Sequence, residues 1–261
     1  MSNPAMAMDR APTRGFAPNH RWDRNFYLVM VALGWVGILR GFGGELVSRA
    51  AHHAAPYPII VHFHAVIFVL WLVLFTVQVL LIRSKKLSVH KKLGFALVYL
   101  AVAMALIGPA TALTVQHHGM AKPDADPGFL SVQFTDILAF VGLTGAAIVL
   151  RKFPAAHKRL VLLGTLYITD AGFARWLADP ILNALGAFTY WHFWIALYVG
   201  PVVLAAIAGA YDLVTRRRLH PAYVAGVAYM FAVQMLAISL YFNPSWLPAA
   251  KHMIAAWPWG S

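Results

Sequence analysis

The most constraining feature of the chain is an apolar stretch over residues 59–82. Only His62, His64, Thr76 and Gln78 interrupt it. At about 1.5 Å per residue, a helix over this stretch is about 36 Å long, whereas the hydrocarbon core of a bilayer is about 30 Å thick. The stretch therefore predicts a helix that crosses a membrane.

Apolar blocks of similar length recur along the chain. Of its 261 residues, 61% are hydrophobic and 11% are charged, whereas about 25% are charged in an ordinary soluble domain. We therefore predict an all-α fold, a polytopic transmembrane helical bundle of about seven spans. The predicted spans cover residues 25–41, 59–82, 93–115, 131–150, 160–177, 190–214 and 222–242.

Three regions follow from this pattern. Residues 1–24 are rich in Pro, Asn and Arg, and we expect a basic, poorly ordered cytoplasmic arm that ends in a short turn at the membrane surface. Residues 25–242 form the seven-helix membrane domain. Residues 243–261 contain several Pro and Trp residues, which suit the bilayer interface, and we expect them to form a tail on the outer side.

The basic residues are grouped, and their positions predict the orientation of the protein. Most of the 21 lysines and arginines lie in the arm and in three short loops, residues 83–92, 151–159 and 216–218. Cytoplasmic loops are enriched in such residues, so we expect the amino terminus inside and the carboxyl terminus outside. The net charge of +12 then indicates contact with anionic lipid headgroups and not with nucleic acid. The absence of cysteine excludes disulfides and thiolate metal ligands.

A short motif recurs at the start of three predicted spans. The sequence HKKL begins at His90, HKRL begins at His157, and a weaker copy, HPAY, begins at His220. This repeat predicts stacked helical hairpins formed by spans 2–3, 4–5 and 6–7. A simpler interpretation is that the motif only marks where the chain leaves the membrane. For His90 and His157 the basic neighbours favour contact with lipid headgroups over an inner haem site.

Across about residues 60–178, the order of motifs resembles a widespread group of uncharacterised bacterial multi-pass membrane proteins. Those proteins usually have arginines and a methionine where this chain has Lys91, Lys92 and Val161. The group is distantly similar to membrane b-type cytochromes, which hold haem between histidines of a four-helix core. The resemblance implies a multi-pass protein of the bacterial inner membrane. The residues that carry the resemblance are His62 and His64, Gln78, the HKKLG sequence from His90, Asp136, and AAHKRL around His157.

Helical spacing sorts the polar residues of the second span. His64, Trp71 and Gln78 are seven residues apart and therefore share one face. A polar face on a spanning helix has to meet other helices or a water-filled cavity. His62 lies about 200° around the helix from His64, so a regular helix cannot direct both rings at one ion. We therefore predict that His64 and Gln78 point into the bundle.

His192, at the start of the sixth predicted span, lies at a similar depth to His64. Such an imidazole pair could ligate haem iron, or could bind Zn or Cu together with Asp136. The candidate metal ligands are His62, His64, His192 and Asp136, and the candidate cofactor-binding residues are His64, His192 and Gln78. Alternatively, His64 and Gln78 only bridge helices through hydrogen bonds, each contributing about 0.6–2 kcal/mol.

Two aspartates in the spans are the candidate catalytic residues. Asp136 and Asp170 are expected to form a proton path, because a carboxylate inside a bilayer is costly unless it is functional or paired. Arg40, Arg175 and the imidazoles are their predicted partners. Arg175 itself lies four residues before Asp179, which predicts an ion pair at the helix end.

These residues favour a membrane-embedded redox protein. It would bind haem b or another His-ligated metal (Zn, Cu or Fe) and exchange electrons with a quinone, with Gln78 bridging helices or contacting that quinone. The alternative is a non-catalytic protein, either an assembly factor or subunit of a respiratory complex that binds other membrane subunits, or a small-solute carrier. Whether the chain is an enzyme stays open at this point.

The orientation can be tested with reporter fusions. A reporter fused after Ser84 or after Arg217 should lie in the cytoplasm, and one fused after Pro123 should lie outside, because the basic loops are retained on the inner side. Protease or thiol-reagent accessibility in intact cells measures the side. A reversed result at any of the three positions would contradict the predicted orientation.

Overall fold

The computed structural model describes residues 16–53, 55–123 and 125–258, and the regular structure of these residues is helical. Two single-turn 3-10 helices, Pro127–Phe129 and Leu150–Lys152, precede α4 and α5. The α-helices are α1 (Asp23–Ala51), α2 (Ile59–Arg83), α3 (Leu87–Gly119), α4 (Leu130–Val149), α5 (Pro154–Tyr167), α6 (Asp170–Leu185), α7 (Tyr190–Arg216), α8 (Pro221–Tyr241) and α9 (Trp246–Ala255).

The helices confirm the predicted membrane bundle. Within the described residues, 6 helices are long and apolar enough to cross a membrane, and the number is 7 if the bent pair of α5 and α6 is counted as one span. Helices α2 and α3 pack as a hairpin, as do α4 and α5, while α8 packs on α4 and α7 packs on α6. The largest buried cluster lies where α4, α5, α7 and α8 meet, and it includes Leu143, Leu163, Tyr167, Tyr198 and Ile238.

The first helix is longer than the sequence predicted. The predicted span ended at residue 41, but the helix continues to Ala51. A β-carbon on Gly41 would overlap the carbonyl oxygen of Gly172 in α6. The glycine therefore serves helix packing and not helix termination, because in a bilayer small residues let two helix backbones approach closely.

Part of the tail expected at the interface is a helix, α9. Ala250 and Ile254 of α9 are buried against Ala112 of α3 and Leu130 of α4. The indole N–H of Trp246 donates a hydrogen bond of 2.8 Å to the carbonyl oxygen of Gly128. The tail thus packs against the ends of α3 and α4 that the charge pattern places on the outer side.

Substitution of Gly41 by Ala should destabilise the bundle, because the new methyl group would force α1 away from α6. Overpacking of this kind costs about 1–3 kcal/mol. Unfolding in mixed detergent–SDS micelles, followed by circular dichroism, measures the change. Gly43→Ala is the matched control, since a β-carbon there meets nothing within 4 Å and both changes raise helix propensity equally. Equal stability of the two variants would contradict a close α1–α6 contact.

Candidate functional site

The predicted fifth span is broken directly before its acidic residue, Asp170. Helix α5 ends at Tyr167, helix α6 begins at Asp170, and the two axes are bent by 48°. No proline causes this break. The local sequence Ile168–Thr169–Asp170 consists of residues with lowered helix preference, because β-branched side chains are restricted in a helix and Asp competes for backbone hydrogen bonds. The continuous helix predicted over residues 160–177 was therefore wrong at its centre.

At the break, the carboxyl group of Asp170 lies beside that of Asp136 in α4. Asp170 is 4% exposed, and the Oδ1 atom of Asp136 is buried with no hydrogen-bond partner in the described ranges. The Oδ1 atom of Asp170 accepts a hydrogen bond of 2.6 Å from the backbone N–H of Ala171. The first turn of α6 also places a partial positive charge near this carboxyl group.

This contact differs from the partners that the sequence predicted, which were arginine or histidine side chains. A hydrogen bond between two carboxyl groups needs a proton on one of them, because an ionised carboxylate is only an acceptor. Two carboxyl groups that lie together away from water can share a proton. The structure brings together the two residues predicted to form a proton path.

Two buried tyrosines border the carboxyl pair. Tyr167 and Tyr198 are both 0% exposed, and their ring centroids lie 6.1 Å apart. Their hydroxyl groups make no hydrogen bond of normal geometry within the described residues. Thr135 lies beside Tyr198. Unpaired buried hydroxyl groups are rare and need an explanation, and here they lie next to carboxyl groups that can exchange a proton.

The second helix directs its polar face inward, as its spacing predicted. Trp71 is 2% and Gln78 is 6% exposed, and the ring of His64 stacks on Phe68 with centroids 4.0 Å apart. The Nδ1 atom of His64 is buried without a partner in the described structure, whereas His62 is exposed. Gln78 bridges α2 and α3, since its Nε2 donates to the carbonyl oxygen of residue 90 at 3.2 Å.

His192 is not joined to His64 in this fold. Helix α2 packs mainly on α3 and α1, whereas α7 packs mainly on α6 and α8. The Nδ1 atom of His192 instead lies 2.6 Å from the carbonyl oxygen of Ala187. Among the described residues, no group of three or more His, Cys, Asp or Glu side chains could hold a metal ion. His62, His64, His192 and Asp136 thus do not form one ligand set in the described structure.

A polar groove lies between α1 and α6, near the ends assigned to the outer side. It has a volume of about 530 Å³ and is lined by Arg40, Glu45, Arg175 and Asp179, among others. Arg175 pairs with Glu45 at 2.8 Å. The ion pair with Asp179 that the sequence had predicted is therefore replaced by one with Glu45. The hydroxyl group of Tyr57 donates to the same Glu45, and burial, followed by this hydrogen bond, raises the pKa of Tyr57.

The opposite end of the bundle is closed by an inner ion cluster, Asp23, Lys158, Arg159, Asp212 and Arg216. Arg159 donates two hydrogen bonds to Asp212, of 2.6 and 2.5 Å, and both side chains are nearly inaccessible. Asp23 accepts from Lys158 at 2.7 Å and from Arg216 at 2.9 Å. Lys158 and Arg159 of the HKRL motif thus pair with carboxylates of α1 and α7. Burial of Arg159 withdraws this residue from the lipid headgroups predicted for the motif.

The end of the amino-terminal arm packs on the inner ion cluster. The ring of Phe16 lies 4.6 Å from the guanidinium carbon of Arg159 and 4.7 Å from the ring of His220. Burial, followed by the charge of Arg159, lowers the pKa of His220, and its neutral Nδ1 accepts a hydrogen bond from the backbone N–H of Ala222. Most of the predicted poorly ordered arm, residues 1–15, lies outside the described residues.

No protein-family model, curated protein or solved structure matches the chain. The resemblance of its His and Gln motifs to bacterial membrane proteins therefore remains a prediction. Function has to be inferred from the site itself, since one fold can carry many activities.

Proposed function

We propose that this protein transfers protons within the membrane through the contacting carboxyl groups of Asp136 and Asp170. The observation that carries the proposal is their contact at the helix break. One carboxyl group can donate its proton to the other, and the pair is then restored by a proton from the next group in the path. No bond other than O–H is formed or broken in this step.

The free-energy cost of placing two carboxyl groups inside the membrane supports a functional role for them. A carboxylate at the centre of a spanning helix costs about 2.5–3.5 kcal/mol on insertion scales, and intramembrane ionisable residues are therefore expected to be functional. A structural contact between α4 and α6 could be made by apolar side chains at no such cost. Broken spans that place helix ends and ionisable side chains inside the bilayer are typical of proteins that move ions.

The groove between α1 and α6 is the candidate route from the pair to the outer side. Arg175, which lines the groove, lies five residues after Asp170 along α6. The pair Asp136–Asp170 also borders Tyr167 and Tyr198, whose hydroxyl groups can relay a proton further into the bundle. Protons would therefore enter or leave through the groove and pass the carboxyl pair.

Asp136→Asn and Asp170→Asn should each lower proton flux about tenfold or more, because a carboxamide keeps a hydrogen bond but releases no proton. Flux is measured in proteoliposomes with a trapped pH-sensitive dye and an imposed potassium diffusion potential. Asp126→Asn is the matched control, since Asp126 accepts a 2.8 Å hydrogen bond from Tyr241 outside the carboxyl pair. Unchanged flux in folded Asp136→Asn and Asp170→Asn protein would overturn the proposal.

A second candidate function is electron exchange, and the buried, unpaired Nδ1 atom of His64 favours it. A neutral imidazole is the usual ligand for haem b, Zn, Cu or Fe. In this proposal His64 is one ligand, and the predicted second ligand, His192, does not lie opposite to it. A quinone would be the exchange partner in this proposal.

Purified protein tests the second candidate through its absorption spectrum and metal content. A bound haem gives a Soret band that shifts on reduction with dithionite, and His64→Ala should abolish the band while the bundle stays folded. His62→Ala should leave it intact, since His62 lies on an exposed face. A colourless protein without metal by elemental analysis would contradict haem and metal binding alike.

A further inference from the structure

A second cavity, between α7 and α8, has the chemistry of a ligand site. Its volume is about 330 Å³, and its lining is apolar except for the amide of Gln234 and the polar ends of two aromatic residues, Trp194 and Tyr223. The hydroxyl group of Tyr223 is already used, since it donates to the carbonyl oxygen of Ala205 at 2.7 Å. Gln234 is therefore the group whose bonding decides what the cavity can hold.

One of the two polar atoms of the Gln234 amide has no hydrogen-bond partner within the part of the chain that the structure describes, and the contact with Trp194 shows which atom it is. The indole N–H can only donate, and it donates to Oε1 of Gln234 at 3.2 Å. The Nε2 atom of Gln234 thus remains, and it is buried with no hydrogen-bond partner among the described residues. Because Gln234 is 0% exposed, an unpaired N–H in this position is costly unless a ligand accepts from it.

The cavity lies at membrane depth and opens toward lipid. Gln234 is 13 residues from the start of α8, about 20 Å along a helix that crosses a hydrocarbon core of about 30 Å. Phe231 and Ala206, which also line the cavity, have exposed side chains on the outside of the bundle. A ligand would therefore enter from the hydrocarbon core, where a phospholipid offers acyl chains and no hydrogen-bond acceptor.

We propose that the cavity binds a quinone, held by a hydrogen bond from Nε2 of Gln234 to a quinone carbonyl oxygen. A lipid-soluble molecule with a flat ring suits the aromatic edges of Trp194 and Phe231, whose centroids lie 5.9 Å apart at 76°. A carbonyl oxygen supplies the acceptor that the free N–H lacks. The inference goes beyond the proposed proton transfer and does not depend on it, since it concerns binding alone.

Binding is measured with decylubiquinone as the probe, by quenching of tryptophan fluorescence in lipid nanodiscs that contain the full chain, corrected with empty nanodiscs. Gln234→Leu should weaken binding about tenfold, the loss expected for one hydrogen bond. Gln116→Leu is the matched control, because Gln116 bonds Gln133 at 3.2 Å and does not line the cavity. Decylbenzene, which has the same tail and a ring without carbonyl groups, should bind Gln234→Leu and unchanged protein equally, as measured by its displacement of decylubiquinone.

Ala206→Phe provides a second variant that keeps the bond between Gln234 and Trp194. Its larger ring should fill the cavity from the lipid side and prevent binding of decylubiquinone. If decylubiquinone and decylbenzene bind with equal affinity, or if binding survives both Gln234→Leu and Ala206→Phe, the cavity holds lipid chains and the proposal is wrong. Proton flux should persist in Gln234→Leu, because this change leaves the carboxyl pair intact. The quinone proposal and the proton-transfer proposal can therefore fail independently of each other.

Discussion

A polar side chain inside a bilayer has to find its partner within the protein, because no water is available there. The buried contacts of this bundle follow from that constraint. Arg159 pairs with Asp212, the indole of Trp194 bonds Gln234, and that of Trp71 bonds Thr165. Each contact joins two different helices, so the same interactions that satisfy polar groups also fix which helices are neighbours.

Some buried polar atoms lack a partner in the described part of the chain, and four of the residues that carry them support the two proposals. Asp136, Tyr167, Tyr198 and Gln234 keep unpaired polar atoms within the described part of the chain, and an unpaired buried donor or acceptor costs about 1–3 kcal/mol. These atoms lie in two places, the carboxyl pair at the helix break and the cavity between α7 and α8. A proton would complete the first, and a carbonyl-bearing ligand would complete the second.

Helix α6 is positioned by close packing, and this determines where Asp170 lies. The ring of Phe173 fills the space left by two glycines, Gly37 of α1 and Gly200 of α7, since a β-carbon at either would overlap the ring. Gly172 approaches the backbone of α1 in the same way. These contacts hold the first turn of α6 inside the bundle, so that its first residue faces α4. The opposite ends of the spans are joined by the inner ion cluster, whereas the groove between α1 and α6 stays open.

Sequence alone determined the membrane fold. Length and hydropathy fix a spanning helix because the hydrocarbon core has a set thickness, and the spacing of His64, Trp71 and Gln78 fixes their common face because the helical period is constant. Asp136 and Asp170 could likewise be singled out, since charge in an apolar run is visible in one dimension. Their contact with each other could not, and neither could the pairing of Arg159 with Asp212 or the open bonding position on Gln234. Those features depend on which helices pack together and at what rotation, and small residues such as Gly41 decide that only once two helices meet in three dimensions.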